Sequence, residues 1–405
     1  MRLSIVLAAA AMAGSSLFAI GAAHAQDQVN LTWQMWGDEK DTPLWQSLAD
    51  LVTAEYPNIK VTPQISGWND YWTRLPVLAS SGQIGDLVAM QSMRMPSFYS
   101  LLEPLDEHFA SDKFDTSVFE SSIIQGLSHD GAQYALPYDV GPWIVFYNKD
   151  KFAEAGLSEP AMDWTFDDFK AAAQKLTAGD NYGYAVQAFD FIAAPVALGA
   201  EYFNDGDQFD LTNAGYEGAV GKLVDLVAKD KASPVFASGT NAATASGRFA
   251  SGNAAMYIDG PWSLISTKDA VNFKMGVAPL PRGEGASRFI TAGSGWGISA
   301  ASQHKDEAYK ALQVLTGPKA AQILASAGRA LPGRLAEQTY WYDVAAKDVG
   351  GTREALEYAF EHSTPFRINE NWNEFENLIT QYMPLALTGE KTTDATLADI
   401  QSQLP

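Results

Sequence analysis

The chain has 405 residues, no cysteine, and 27 Lys and Arg against 48 Asp and Glu, a formal charge of −21. Hydrophobic residues make up 47% and charged residues 19%, an ordinary globular composition, and the length suits two or three domains with cores of their own. The acidic balance argues against a large phosphate-binding surface and so against a nucleic-acid partner, and the missing thiols exclude disulfide scaffolds, cysteine nucleophiles, zinc ribbons and iron–sulfur clusters.

Residues 1–25 read as a secretory signal. Arg2 supplies the positive start, two apolar runs flank Gly14-Ser15-Ser16, and Ala23-His24-Ala25 is a small-x-small cleavage pattern. No other stretch reaches the ~18 apolar residues of a membrane span. Cleavage after Ala25 predicts a soluble exported protein, most simply a periplasmic one.

Beyond the signal, two periodicities alternate. Leu31-Thr32-Trp33-Gln34-Met35 alternates as a half-buried strand does. Thr42 is a plausible N-cap with Pro43 at the first helical position, and Leu44, Trp45, Leu48, Leu51 and Val52 fall on one helical face that Pro57 ends. Ile59, Val61 and Ile65 mark a second strand, and Asp86 to Met90 a third. Strand–helix–strand with short links predicts right-handed crossovers and a mainly parallel sheet. Further strands are expected at Tyr134–Leu136, Ile144–Tyr147, Ala255–Ile258 and Met275–Ala278. Thr165-Phe166-Asp167-Asp168 resembles a capping box, with Phe169, Ala173 and Leu176 continuing the helix's apolar face. From about residue 304 the pattern turns mostly helical, with stripes at Ala308, Leu312 and Leu315 and at Phe375, Leu378, Ile379 and Tyr382. The simplest reading is two α/β units with a helical C-terminal region.

Catalytic signatures are absent. There is no Gly-x-Ser-x-Gly elbow and no His-Glu-x-x-His. Gly293-Ser294-Gly295-Trp296-Gly297 is not a dinucleotide fingerprint, and the acidic run Asp205, Asp207, Asp210 lacks the glycine and closing glutamate of a calcium loop. No catalytic set, cofactor or metal is therefore expected. What remains is aromatic: the chain carries 11 Trp, 16 Tyr and 20 Phe. Trp36, Trp68, Trp143, Trp262 and Trp296 sit where strands give way to loops, the positions where open α/β sheets bind ligands. A tryptophan face suits the apolar C–H face of a sugar ring, while Asp, Asn, Gln and Arg bind its hydroxyls. The alternative for each is a core position, which is the reading for Trp45 and Trp164. Glycine, proline or asparagine beside Trp36, Trp68, Trp262 and Trp296 favours a loop.

Ala135-Leu136-Pro137-Tyr138-Asp139-Val140-Gly141-Pro142-Trp143, followed by Phe146-Tyr147-Asn148-Lys149-Asp150, resembles the sugar-binding cluster of ABC-transporter solute-binding proteins, the maltose-binding-protein-like family. Matches continue in family order at Phe152–Leu157, Trp164–Phe169, Phe249–Trp262 and Gly276–Pro281. The resemblance implies an α/β, two-lobed periplasmic binding protein fold of type II, crossed more than once at a hinge, with a ligand in the interlobe cleft and no catalysis. It implies lobes at residues 26–138 plus 286–334 and at 139–285 plus 335–405. Crossings are expected near Pro137–Pro142, Pro279–Gly285 and Gly328–Leu335. The partners it implies are a small-molecule carbohydrate and the transmembrane subunits of an ABC permease, with the chain itself a monomer.

Residue by residue, Trp262 after Gly260-Pro261 matches the family's ring-stacking tryptophan. Arg94, eight residues after Asp86, matches an arginine that binds hydroxyls. Met90 and Met93 stand where a maltose-binding member has a tryptophan and an acid, and Gly141 stands where the family has an acid, with Asp139 two residues away as its substitute. Trp372 lies near, but not on, a C-terminal family tryptophan. The full ligand-binding set expected is Trp36, Asp38, Trp68, Gln91, Arg94, Asp139, Phe189, Asp190, Trp262, Gly295, Trp296 and Arg334. An uncharged sugar or oligosaccharide is the expected ligand. An exported carbohydrate-active hydrolase and the ligand subunit of a chemosensory system are the alternatives.

Overall fold

The computed structural model describes residues 27–405 apart from 237–242, 287, 346, 348 and 365; the expected signal over residues 1–25 lies outside the described residues. The strands are β1 (Val29–Trp36), β2 (Ile59–Ser66), β3 (Leu87–Gln91), β4 (Ser128–His129), β5 (Ala132–Gln133), β6 (Leu136–Pro142), β7 (Ile144–Asn148), β8 (Met256–Asp259), β9 (Met275–Pro279), β10 (Phe289–Ile298) and β11 (Ser363–Thr364). The alternation in β1 does what its period predicts: Leu31, Trp33 and Met35 are buried while Asn30 faces solvent. Between β1 and β2 runs α1 (Thr42–Glu55), burying Trp45, Leu48, Ala49 and Val52. Its N-cap is Asp41 rather than Thr42. A proline in the first turn loses no hydrogen bond there, so the helix can begin one residue before it.

The larger sheet runs β11-β10-β3-β1-β2, with β6 also paired to β10. β1, β2 and β3 are parallel, as expected, but β10 is antiparallel to both β3 and β6. The first three strands are joined by helical crossovers. β10 instead enters from the second unit, and its direction is not set by that rule. The smaller sheet, β8-β7-β9, is antiparallel throughout. All of β7 is buried, because both its faces are covered: Val145 and Tyr147 join one apolar cluster, Ile144 and Phe146 another.

The apolar side chains fall into one core around the larger sheet and two clusters flanking the smaller one, and the chain passes between them at three places. In β6, Leu136, Tyr138 and Val140 belong to the first core, while Trp143 and Val145 belong to the second unit. In β10 the exchange lies between Ala292 and Trp296, inside the strand and not at the Pro- and Gly-rich stretch 279–285. The third passage falls between Ala330 and Leu331. The three passages are hydrogen-bonded together. β6 pairs with β10, and Val140 N donates to Leu331 O at 3.1 Å while Gly333 N donates to Tyr138 O at 3.2 Å. The capping box at Thr165 is formed, with Thr165 Oγ1 accepting from Asp168 N and Asp168 returning the bond to Thr165 N. Helices dominate after residue 304, and Pro384 sits inside the helix Trp372–Thr388.

Candidate functional site

Two groups of aromatic rings stand on either side of the crossing strands. The first is built by β1 and the helix that follows β2, α2 (Trp68–Ser80). Trp36, at the end of β1, meets Trp68, Tyr71 and Trp72 with centroid distances of 5.0, 5.2 and 5.4 Å. Trp68 and Trp72 are one helical turn apart, so both share a face of α2. Trp36 is buried, whereas Trp68 keeps 39% of its surface exposed. Arg94 lies over this group, its Cζ 4.8 Å from the Trp72 centroid and 5.7 Å from that of Trp68. Its guanidinium reaches across to the helix Trp372–Thr388, donating to Asn373 Oδ1 and lying 3.5 Å from Glu376 Oε2. Burial pulls the arginine pKa below its ordinary value and pushes that of Glu376 above; each partner's charge opposes the shift of the other.

The second group belongs to the smaller sheet. Trp143, at the start of β7, stacks on Phe189 with centroids 4.5 Å apart and meets Trp262 edge-on at 5.3 Å. Trp262 is 37% exposed and is fixed from behind: its Nε1 donates to Asp259 Oδ1 at 2.7 Å. Its ring folds over Gly260, where an added Cβ would fall 2.2 Å from the indole. A Cβ on Gly141 would fall 2.3 Å from Pro261 Cγ. Gly141 is therefore required for Pro261-Trp262 to close against β6, and an acid at that position would displace them. Asp259 sits under the indole with its pKa pushed up to about 6 by burial, against hydrogen bonds from Gly260, Ser263 and Trp262.

The structure therefore brings together Trp36, Trp68 and Arg94 on one side and Phe189 and Trp262 on the other. It places the remaining expected residues elsewhere. Trp296 is fully buried in the first core, stacked on Tyr138 at 4.5 Å and edge-on to Trp33 at 4.9 Å. Gly295 lies beside it in β10, where a Cβ would come within 2.5 Å of Leu136 O. Their glycine-rich surroundings are strand packing and not a loop. Asp139 is 9% exposed, and its Oδ1 accepts from Ser294 N at 2.6 Å, beside the register shift between β6 and β10. Burial raises its pKa to about 6, with Arg329 and Ser294 opposing. Asp139 thus joins two crossing strands, and it is not a free substitute for the acid missing at Gly141. Asp190 is completely buried. Asp38 is exposed and lies 3.7 Å from Lys40 Nζ. Arg334 pairs with Glu337 at 3.2 Å and covers Phe119, a ring of the first core. Gln91, at the end of β3, keeps a buried Oε1 without a partner among the described residues. Trp372 is a core residue with no exposed surface.

Sequence reasoning missed Tyr71 and Trp72, although the Trp68-x-x-x-Trp72 spacing carried the signal. It left Trp143 out of the ligand set, and nothing local singled out Asp259, Asn373 or Glu376. A cavity of about 260 Å³ also lies between the two units, lined by Ser92, Ser122, Gln125, Thr291, Phe366 and Ile368 among others. It adjoins the aromatic group of the second unit, since its Phe366 ring stacks on Trp143 with centroids 6.1 Å apart.

Two α/β units joined by three adjacent passages, with an aromatic surface on each, define a two-lobed binding protein of the type II periplasmic fold. The bacterial extracellular solute-binding protein family model matches residues 36–322, and the chain belongs to that family. A binding protein from Brucella abortus is 26% identical over 321 residues, 75% of each chain. The diacetylchitobiose binding protein of Streptomyces coelicolor is 24% identical over 378 residues, 90% of this chain and 86% of that one. The fold matches an ABC substrate-binding protein from Listeria monocytogenes, solved in complex with cycloalternan, with a TM-score of 0.84, 23% identity, and coverage of 93% of this chain and 98% of the other.

Proposed function

We propose that the chain is the periplasmic carbohydrate-binding subunit of an ABC importer. It captures an uncharged sugar or oligosaccharide between two lobes, the first close to residues 26–138 plus 286–334 and the second close to 139–285 plus 335–405, with the later exchanges between Ala292 and Trp296 inside β10 and between Ala330 and Leu331, and hands it to the permease subunits. It acts as a monomer and does no chemistry on its cargo. The observation that carries the reading is the half-exposed Trp262 ring, held by Asp259 and flanked by Trp143 and Phe189, with a second half-exposed tryptophan, Trp68, on the other unit. A fixed ring with a free face supplies stacking without losing side-chain freedom on binding. Arg94 is already compensated by Glu376, which suits a neutral ligand better than an anion. Among the described residues no helix is long and apolar enough to cross a membrane, in keeping with export as a free subunit. The relatives named for sugars support the same class.

A thermal-shift screen over mono- and oligosaccharides tests it, since a ligand that binds only the folded state raises the melting temperature by mass action. Recovery of the bound sugar intact is expected; turnover would favour the hydrolase.

A further inference from the structure

Asp190 has no exposed surface, yet it stands next to Phe189 in the aromatic group. Its Oδ2 accepts from Gln187 N at 2.8 Å and from the Tyr184 hydroxyl. Its own N donates to Gln187 O at 3.2 Å, so the carboxyl closes the turn 187–190 that presents the Phe189 ring to Trp143. The side chain of Gln187 continues the connection: Nε2 donates to Ile258 O at 2.5 Å, on β8, one residue before the Asp259 that holds Trp262. A single buried network thus ties the turn bearing Phe189 to the strand bearing Asp259.

Two atoms in this network lack partners among the described residues, Asp190 Oδ1 and Gln187 Oε1. Both are acceptors when the acid is ionised. A proton on Oδ1 turns that oxygen into a donor and leaves no unpaired charge in a fully buried place. Tyr184 and Asp259 are the titratable groups that act on Asp190, and neither is a cation that would hold it ionised.

We infer that Asp190 is a positioning residue for the aromatic surface, and that as a neutral acid it fixes Phe189, Trp143 and, through Gln187 and β8, Trp262 in the arrangement that takes a sugar ring. The inference rests on the binding role proposed above for these rings. In support, burial pushes the Asp190 pKa up to about 8, with Asp259 adding to the rise and Tyr184 and Gln187 opposing it. Ionisation leaves a charged oxygen in the turn without a donor and loosens it.

The test needs no ligand. The protein is labelled with 5-fluorotryptophan, the Trp143, Trp262 and Trp296 resonances are assigned by single Trp→Phe variants, and the spectra are followed from pH 7 to 9.5, above the range in which Asp259 and Asp139 themselves titrate. The wild type is expected to show Trp143 and Trp262 moving together with a midpoint near 8, while Trp296, in the other core, stays still. Asp190→Asn, which keeps the shape and cannot ionise, is expected to hold the low-pH positions throughout. Asp190→Ala is expected to displace both resonances at every pH. Coincidence of Asp190→Ala with the wild type, or a pH response that survives in Asp190→Asn, overturns the inference. Failure to bind any sugar would count against the proposed function and leave this readout intact.

Discussion

Trp262 donates its indole N–H to the carboxylate of Asp259, 2.7 Å away, so an exposed ring of the second unit is oriented by a carboxylate at the end of a buried strand. The same carboxylate accepts from Gly260 N at 2.8 Å, which ties the ring to the backbone that carries it. A stacking surface built this way is preorganised before ligand arrives. Removing the acid frees the indole without removing it. Asp259→Ala is therefore expected to weaken sugar binding about tenfold, or about 1.4 kcal/mol, with the fold retained. Calorimetric titration and circular dichroism check this; unchanged affinity would show that the ring needs no anchor.

The contact of Arg94 with Glu376 joins residues 282 positions apart and spans the two units. Both side chains are mostly buried. Loss of either one leaves an uncompensated charge, which costs more than loss of both. Arg94→Met and Glu376→Gln are each expected to lower stability by about 2 kcal/mol, and the double variant by less than the sum. Denaturant unfolding of the four proteins measures the coupling, and simple additivity would show that the pair is not energetically linked.

A neutral cargo predicts weak salt dependence. Screening acts on net ligand charge over a Debye length of ~8–10 Å near physiological ionic strength. Affinity measured at low and high salt is expected to differ by less than twofold. Several-fold weakening with added salt, with the fold unchanged, would mean a charged ligand.

Carboxyls whose pKa burial raises, Asp139, Asp259, Asp190 and Glu376 among them, shape the response to pH. Asp139 and Asp259 are raised to about 6 and Asp190 to about 8, all by burial, from an ordinary value of 3.8. The folded state then binds more protons than the unfolded one across this window, so their contribution is fully present below about pH 4 and is lost as pH rises through 6 and then 8. The melting temperature is expected to fall steadily from pH 5 to pH 8.5, and Asp190→Asn is expected to flatten the upper part of that slope. A melting temperature that rises over the same range would contradict the assignment.

The elements that follow local rules were legible in the sequence. The alternation of β1, the apolar face of α1 and the capping box at Thr165 each follow from near neighbours. Trp262 was legible for a similar reason, because Gly260 and Pro261 mark the turn that exposes it. Trp296 was not. Its glycines read as a loop, but a Cβ at Gly293, Gly295 or Gly297 would come within 2.3–2.5 Å of the carbonyl oxygens of Asp139, Leu136 and Tyr134. Those glycines allow close approach to neighbouring chain segments, a property of strand pairing that no local pattern reveals. The carboxylates misled in the same way. Asp139 and Asp190 look like sugar ligands by type, and only the paired strands and the closed turn show that they are internal ties.

The central claim is that a neutral sugar stacks on the free face of Trp262. Titration calorimetry of the wild type and of Trp262→Ala, across the sugars that raise the melting temperature, tests it most directly. The account predicts one site per chain for at least one neutral sugar and, for that sugar, a loss of at least about thirtyfold in the variant, some 2 kcal/mol, with its melting temperature in the absence of sugar close to that of the wild type. Equal affinity in the two proteins, or no neutral sugar that binds the wild type, would contradict it.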